Sequence, residues 1–213
     1  MPMANGTAVF ITFEGIEAAG KSTLIAALND DLRARGENVL VTREPGGTPL
    51  GNHIRQICRD PASTIDPLAE ALLMSADRAQ HVAAVIVPAL RAGVTILCDR
   101  YFDATIAYQG FGRGLDIEML LELSLLATSR VTPNLTILVD IPPELSLARV
   151  RARGDADRMD REDLDFHARV RTGYQELVKR YPQRFAVIDG TQPPAGVLAQ
   201  ALEIIAARRP AVR

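Results

Sequence analysis

A chain of 213 residues with 47% hydrophobic side chains is long enough to bury one continuous core, and 24 basic against 26 acidic residues leave a net charge of −2. Nucleic acid and anionic membranes are therefore not expected as partners, and any attraction for phosphate must be local. Residues 1–7 lack a basic region followed by an apolar one, and no apolar run approaches the roughly 18 residues of a membrane span, so a cytoplasmic protein is expected. Cys58 and Cys98 have no CxxC spacing and are expected as reduced thiols. His53, His81 and His167 share no metal-ligand spacing and are expected as surface or partly buried polar residues.

Five apolar, β-branched runs, at 8–13, 39–42, 94–98, 135–139 and 185–188, alternate with segments of helical period. That alternation predicts a three-layer α/β fold, a five-stranded parallel sheet flanked by helices. No repeat, low-complexity tract or linker divides the chain, so residues 1–213 read as a single domain. Ligands of such sheets gather at the carboxyl ends of the strands.

The first run leads into Gly15-Ile16-Glu17-Ala18-Ala19-Gly20-Lys21-Ser22: glycine, four residues, then Gly-Lys-Ser. Backbone N–H groups that curl around phosphate oxygens need an unobstructed turn. A helix predicted over 23–35, apolar at Leu24, Ala27, Leu28 and Leu32 and stopped by Gly36, aims its positive end at the same point. Residues 15–22 and Thr23 should thus wrap a nucleotide's phosphates, with Lys21 on the β/γ-phosphates and Ser22 on Mg²⁺. A plain strand-turn-helix corner is the competing reading.

After the second run, Thr42-Arg43-Glu44-Pro45-Gly46-Gly47-Thr48 forces a turn and leaves Arg43 and Glu44 at a strand tip, as site residues or as a surface ion pair. A helix is predicted from Pro67 to about residue 92, bent at Pro88, with Met74 and Arg78 on one face. The third run ends in Asp99-Arg100-Tyr101. A carboxylate there suits a site beside Mg²⁺ or a helix N-cap. Thr105, Tyr108 and Gln109, at spacings three and four, can face one cleft, and Gly110, Gly112 and Gly114 predict a flexible turn around Arg113. A Leu-rich helix over 116–128 suits core or a packing interface. Pro142-Pro143 opens a helix carrying Arg149, Arg151 and Arg153, broken at Gly154 and followed by Asp155-Ala156-Asp157-Arg158-Met159-Asp160-Arg161. Its composition fits a solvated, salt-bridged face, whereas phosphoryl transfer asks for mobile cations that close over the transferring group, with Gly154 as hinge. An amphipathic segment over 164–181 and a helix over 197–207 complete the chain.

The loop at 15–22 with Glu17, the segment 42–48, Asp77-Arg78-Ala79-Gln80-His81, Asp99-Arg100-Tyr101, Ala107-Tyr108-Gln109-Gly110 and the arginine segment together resemble, in order and over nearly the whole chain, the bacterial thymidylate kinases. The resemblance implies transfer of the ATP γ-phosphoryl group to dTMP with Mg²⁺, and homodimers formed through long helices. It places Glu17 by the sugar 3′-hydroxyl, Arg43 and Arg100 on the dTMP phosphate, and Arg78 at a thymine carbonyl. Thr105 and Gln109 then lie by base or sugar, and Tyr108 crowds out ribose. Catalytic Lys21 and metal-binding Ser22 and Asp99 complete the set. Family members carry their catalytic arginine in the loop or in the lid. Ala18 occupies the loop position here, which implies a lid at about 149–162 with Arg153 catalytic and Arg158 and Arg151 as helpers. Many relatives have Phe where Met74 stands, so the base is expected to be held less rigidly. The rival readings are a kinase for another nucleoside monophosphate or deoxynucleoside, and a nucleotide switch. Arg43 and Arg100 favour an acceptor that already carries phosphate, and the chain lacks an Asn-Lys-x-Asp guanine signature.

Overall fold

The structure is a computed structural model that describes residues 8–154 and 157–208. Five strands form the sheet: β1 (Phe10–Glu14), β2 (Val39–Arg43), β3 (Thr95–Asp99), β4 (Leu135–Asp140) and β5 (Phe185–Asp189). All pair in parallel in the order β2-β3-β1-β4-β5. Both faces are covered. Ile11, Phe13 and Leu97 pack with Leu24, Leu28 and Leu32 of α1 (Lys21–Ala34), while Phe10, Ile96 and Cys98 pack with Val82 and Ile86. Alternate residues of one strand reach opposite layers, which is why these runs are apolar throughout rather than every second residue.

The chain leaves β1 toward β2 and leaves β3 toward β4, so its direction reverses between the adjacent strands β1 and β3. A crevice opens at such a switch point, above the carboxyl ends of the strands. Residues 15–21 and Asp99-Arg100 border it.

Two expectations about helices are corrected. Residues 49–59, for which no element was expected, form α2 (Pro49–Arg59); Thr48 Oγ1 caps it by accepting from Gly51 N at 3.0 Å, and Pro49 opens its first turn. Only Gly51, Ile54 and Cys58 of α2 are buried, too thin an apolar stripe to announce a helix. The segment predicted over 67–92 is α3 (Pro67–His81), a π-helical turn at Val82–Ile86, and α4 (Val87–Arg91). The wider turn comes just before Pro88, whose missing N–H and bulky ring already break the regular ladder.

A second π-helical stretch, Ile106–Gly112, follows α5 (Phe102–Thr105) and replaces the flexible turn expected at Gly110 and Gly112. Both glycines are buried. An added Cβ would lie 2.4 Å from Ile117 Cδ1 at Gly110 and 2.7 Å from Phe166 Cε2 at Gly112, so these glycines permit close packing. The remaining helices are α6 (Ile117–Ala127), α7 (Pro143–Arg153), α8 (Leu164–Arg180) and α9 (Pro194–Arg208). His53 is exposed, but His81 and His167 are fully buried, contrary to expectation. No helix of the described residues is long and apolar enough to cross a membrane.

Candidate active site

The loop after β1 is bent by three positive φ values, 139° at Gly15, 52° at Ala18 and 102° at Gly20. Gly15 is also sterically required, since a Cβ there would come 2.4 Å from Val139 O. Inside the turn Lys21 Nζ donates to Gly15 O at 3.0 Å and Ile16 O at 3.1 Å. Burial, and then the positive charge of Arg100, pull its pKa down to about 8, against the opposing pull of Asp99, Glu17 and Glu14.

Ser22 Oγ donates to Asp99 Oδ2 at 3.3 Å, and Asp99 Oδ1 is buried without a partner. Asp99 is not a helix cap, because α5 starts at Phe102 with Tyr101 in the capping position. A hydroxyl beside an unsatisfied carboxylate oxygen fits Mg²⁺, which takes few protein ligands and fills its shell with phosphate oxygens and water.

Across the crevice Arg100, in a left-handed conformation at φ 70°, is held on three sides. It donates to Tyr174 Oη at 3.0 Å, Tyr108 Oη at 2.9 Å and Glu17 Oε1 at 3.1 Å, and its guanidinium lies 4.7 Å from the Tyr108 ring centre. Tyr108 Oη also donates to Glu17 Oε1 at 2.6 Å. Burial pushes the Glu17 pKa up, but His167, Arg100 and Tyr108 outweigh it and hold the carboxyl at about 2. His167 Nδ1 lies 3.3 Å from Glu17 Oε2, outside the alignment of a well-formed hydrogen bond.

Glu44, weighed above as half of a surface ion pair, is buried. Its Oε2 accepts from Arg78 Nε at 2.7 Å and its Oε1 faces His81 Nδ1 at 2.9 Å. Arg78 also donates to Thr105 Oγ1 at 3.1 Å and Tyr101 O at 3.2 Å. Arg43 itself is exposed on the cleft wall.

These groups line one cleft of about 490 Å³ that reaches from the phosphate loop to Met74, Thr105 and Gln109. Of the lid arginines, Arg153 lines it and pairs with Asp160 at 2.5 Å, whereas Arg158 turns its guanidinium to Glu70 Oε2. Arg151 is exposed and lies outside the cleft lining. Arg149 braces the loop by donating to Ala18 O and Gly190 O, each at 3.2 Å. Asp155 and Ala156 of the expected lid lie outside the described residues.

Several residues that line the cleft, or are buried against its lining, were not foreseen from the sequence. Arg55 and Arg59 reach it from the unforeseen α2, and burial together with the charges of Arg59 and Arg43 lowers the Arg55 pKa. Glu14 accepts from Tyr101 N and Tyr174 Oη, both at 2.8 Å; burial and Asp103 raise its pKa to about 8. Glu70 did leave a signal, four residues before Met74 on the same helical face. Tyr174 and His167 left none, because nothing local ties Tyr174 to Arg100 and Glu14 or His167 to Glu17.

The family model for thymidylate kinase matches residues 13–201. The chain is 52% identical to the thymidylate kinase of Deinococcus radiodurans over 87% of its own length and 90% of that protein's, and 54% identical to that of Citrifermentans bemidjiense over 85% and 84%. It superimposes on the crystal structure of thymidylate kinase from Ehrlichia chaffeensis with a TM-score of 0.76 at 32% identity, covering 93% of this chain and 98% of that one. Likeness of this extent, with the family model spanning residues 13–201, places the chain in the thymidylate kinase family.

Proposed function

We propose that the protein transfers the γ-phosphoryl group of ATP to dTMP, giving ADP and dTDP, within one kinase domain. The observation that carries this reading is a single cleft with a phosphate loop at one end and Arg43 and Arg100 beside it at the strand tips. Two anionic nucleotides meeting there face strong mutual repulsion, so the chemistry reduces to positioning and charge compensation.

In this reading the loop N–H groups and Lys21 hold the ATP phosphates, and Ser22 and Asp99 hold Mg²⁺. The metal would supply Lewis-acid neutralisation of the triphosphate. Arg100, fixed by Tyr174, Tyr108 and Glu17, aims at the dTMP phosphate with Arg43, and Arg55 adds charge to the same wall. The phosphate of dTMP is largely dianionic above its second pKa of about 6, so it attacks in line without a general base. Arg153 is the lid cation that meets charge developing on the transferring group. Glu17 and Tyr108 take the sugar, and Arg78, Thr105, Gln109 and Met74 take the base.

A homodimer is part of the proposal. Leu68 and Leu72 of α3 and Met119 and Leu126 of α6 are exposed, Leu126 by 78%, and the two helices pack side by side. Such an apolar face suits a self-complementary contact, and sedimentation at twice the chain mass is the expected result.

The function is tested by ADP release from ATP with dTMP, dUMP, UMP, dGMP or no acceptor. Turnover should be fastest with dTMP. Equal release without an acceptor would make the protein an ATPase or switch, and preference for another monophosphate would reassign the base site.

A further inference from the structure

Glu70 lines the cleft and takes no part in the reading above. It is 1% exposed and stands on α3 one turn before Met74. Its Oε1 accepts from Gln109 Nε2 at 2.5 Å, and its Oε2 accepts from Arg158 Nη2. The Arg113 guanidinium lies 3.5 Å from Oε2 while pairing with Glu162 at 2.6 Å. Arg158 is tied down beyond that contact. Its Nε donates to Cys58 O at 2.9 Å and its backbone N to Arg59 O at 3.1 Å, so the 157–162 segment is fastened to α2 and α3 together. A buried carboxylate grips such partners because the alternative is an unpaired charge in a dry site.

The same carboxylate constrains Gln109. Paired with a guanidinium, Glu70 only accepts, so the amide must present its NH₂ group to it. No donor among the described residues reaches Gln109 Oε1, which leaves that carbonyl to the cleft. A carbonyl there accepts from a ring N–H and repels a ring lone pair. Thymine and uracil offer an imide N–H, and cytosine offers a lone pair at the same ring position.

We propose that Glu70 is a positioning residue with two effects: it clasps the lid through Arg158, and it fixes the Gln109 amide so that the base end of the cleft reads an imide N–H. This rests on the dTMP kinase reading.

The test uses the full chain with Glu70→Gln and Arg158→Met, singly and together, in steady-state kinetics with dTMP and dCMP and in limited proteolysis by subtilisin. Each single change should raise KM for dTMP about tenfold, the size of one hydrogen bond to an ionised group. The double variant should be no worse than the poorer single, because both changes cut one contact. Both should speed nicking within residues 149–162. Only Glu70→Gln should narrow the kcat/KM ratio of dTMP over dCMP, by about tenfold, since Arg158→Met leaves the amide held. Losses that multiply, nicking that does not change, or a ratio unmoved by Glu70→Gln would each overturn the inference. If Glu70→Gln does not fold, Arg158→Met must still speed nicking with selectivity intact, and slower or unchanged nicking refutes the clasp. A parent enzyme inactive on dTMP would instead refute the functional reading, and the proteolysis arm would still judge the clasp.

Discussion

Replacing Arg78 with Met removes the cation from a buried ion pair in which both side chains are 2% exposed. An exposed pair would contribute at most about 1 kcal/mol. Here the Glu44 carboxylate is left in the interior with His81 as its remaining partner, while Thr105 Oγ1 and Tyr101 O lose a donor. Stripping one partner from a buried pair costs about 3–5 kcal/mol, which for a chain of this size lowers the unfolding midpoint on the order of 10 °C. The deficit comes from an uncompensated charge, so Arg78→Met with Glu44→Gln should recover at least half of it. Binding of dTMP should not recover, because the proposed base site has Arg78 as its donor and both variants lack it. The chain has no Trp, so urea unfolding followed by far-UV circular dichroism is the assay, with dTMP KM measured in parallel. A single variant within about 1 kcal/mol of the parent, or a double variant no more stable than the single, would refute this account of the pair.

Arg153→Ala should lower kcat by about 10³ or more with little change in unfolding midpoint, while Arg151→Ala, outside the cleft, should stay near parental activity; equal losses would displace the catalytic role from Arg153. Met74→Phe should leave turnover intact or lower the KM for dTMP, and a large loss of turnover would count against base placement beside Met74. Glu14 has a folded pKa near 8 against an ordinary 4.5, so between those values the native state holds a proton that the unfolded chain has released. Its contribution to stability therefore declines as pH rises from about 4.5 to 8. Unfolding midpoints compared at pH 5 and 7.5 should show a shallower decline for Glu14→Gln than for the parent, and parallel declines would assign the slope to other groups.

Much of the architecture was legible because its determinants are local. The five runs announced five strands, displaced by a residue or two at their ends, though the edge strands β2 and β5 leave Val41 and Val187 exposed. The spacing of Gly15, Gly20, Lys21 and Ser22 announced the loop, since a turn that exposes backbone N–H groups needs those residue types within eight positions. Where the signal was thin or ambiguous, reading failed. The short stripe of Gly51, Ile54 and Cys58 concealed α2, and Gly110 and Gly112, read as flexible, are glycines because Ile117 and Phe166 leave no room for a side chain.

By itself, then, the sequence determined the class of fold, the phosphate loop and the cast of polar residues at the strand tips. Only the tertiary structure decided which of those residues face one another. Arg78 pairs with Glu44 across 34 positions, Arg158 with Glu70 across 88, and Arg100 with Tyr174 across 74. No periodicity records such partnerships, because a buried charge selects whichever partner the packing of distant helices brings within reach. Whether an arginine becomes a strut, as Arg149 does, a clasp, as Arg158 does, or a solvated surface group, as Arg151 does, is settled by that packing and not by its neighbours along the chain.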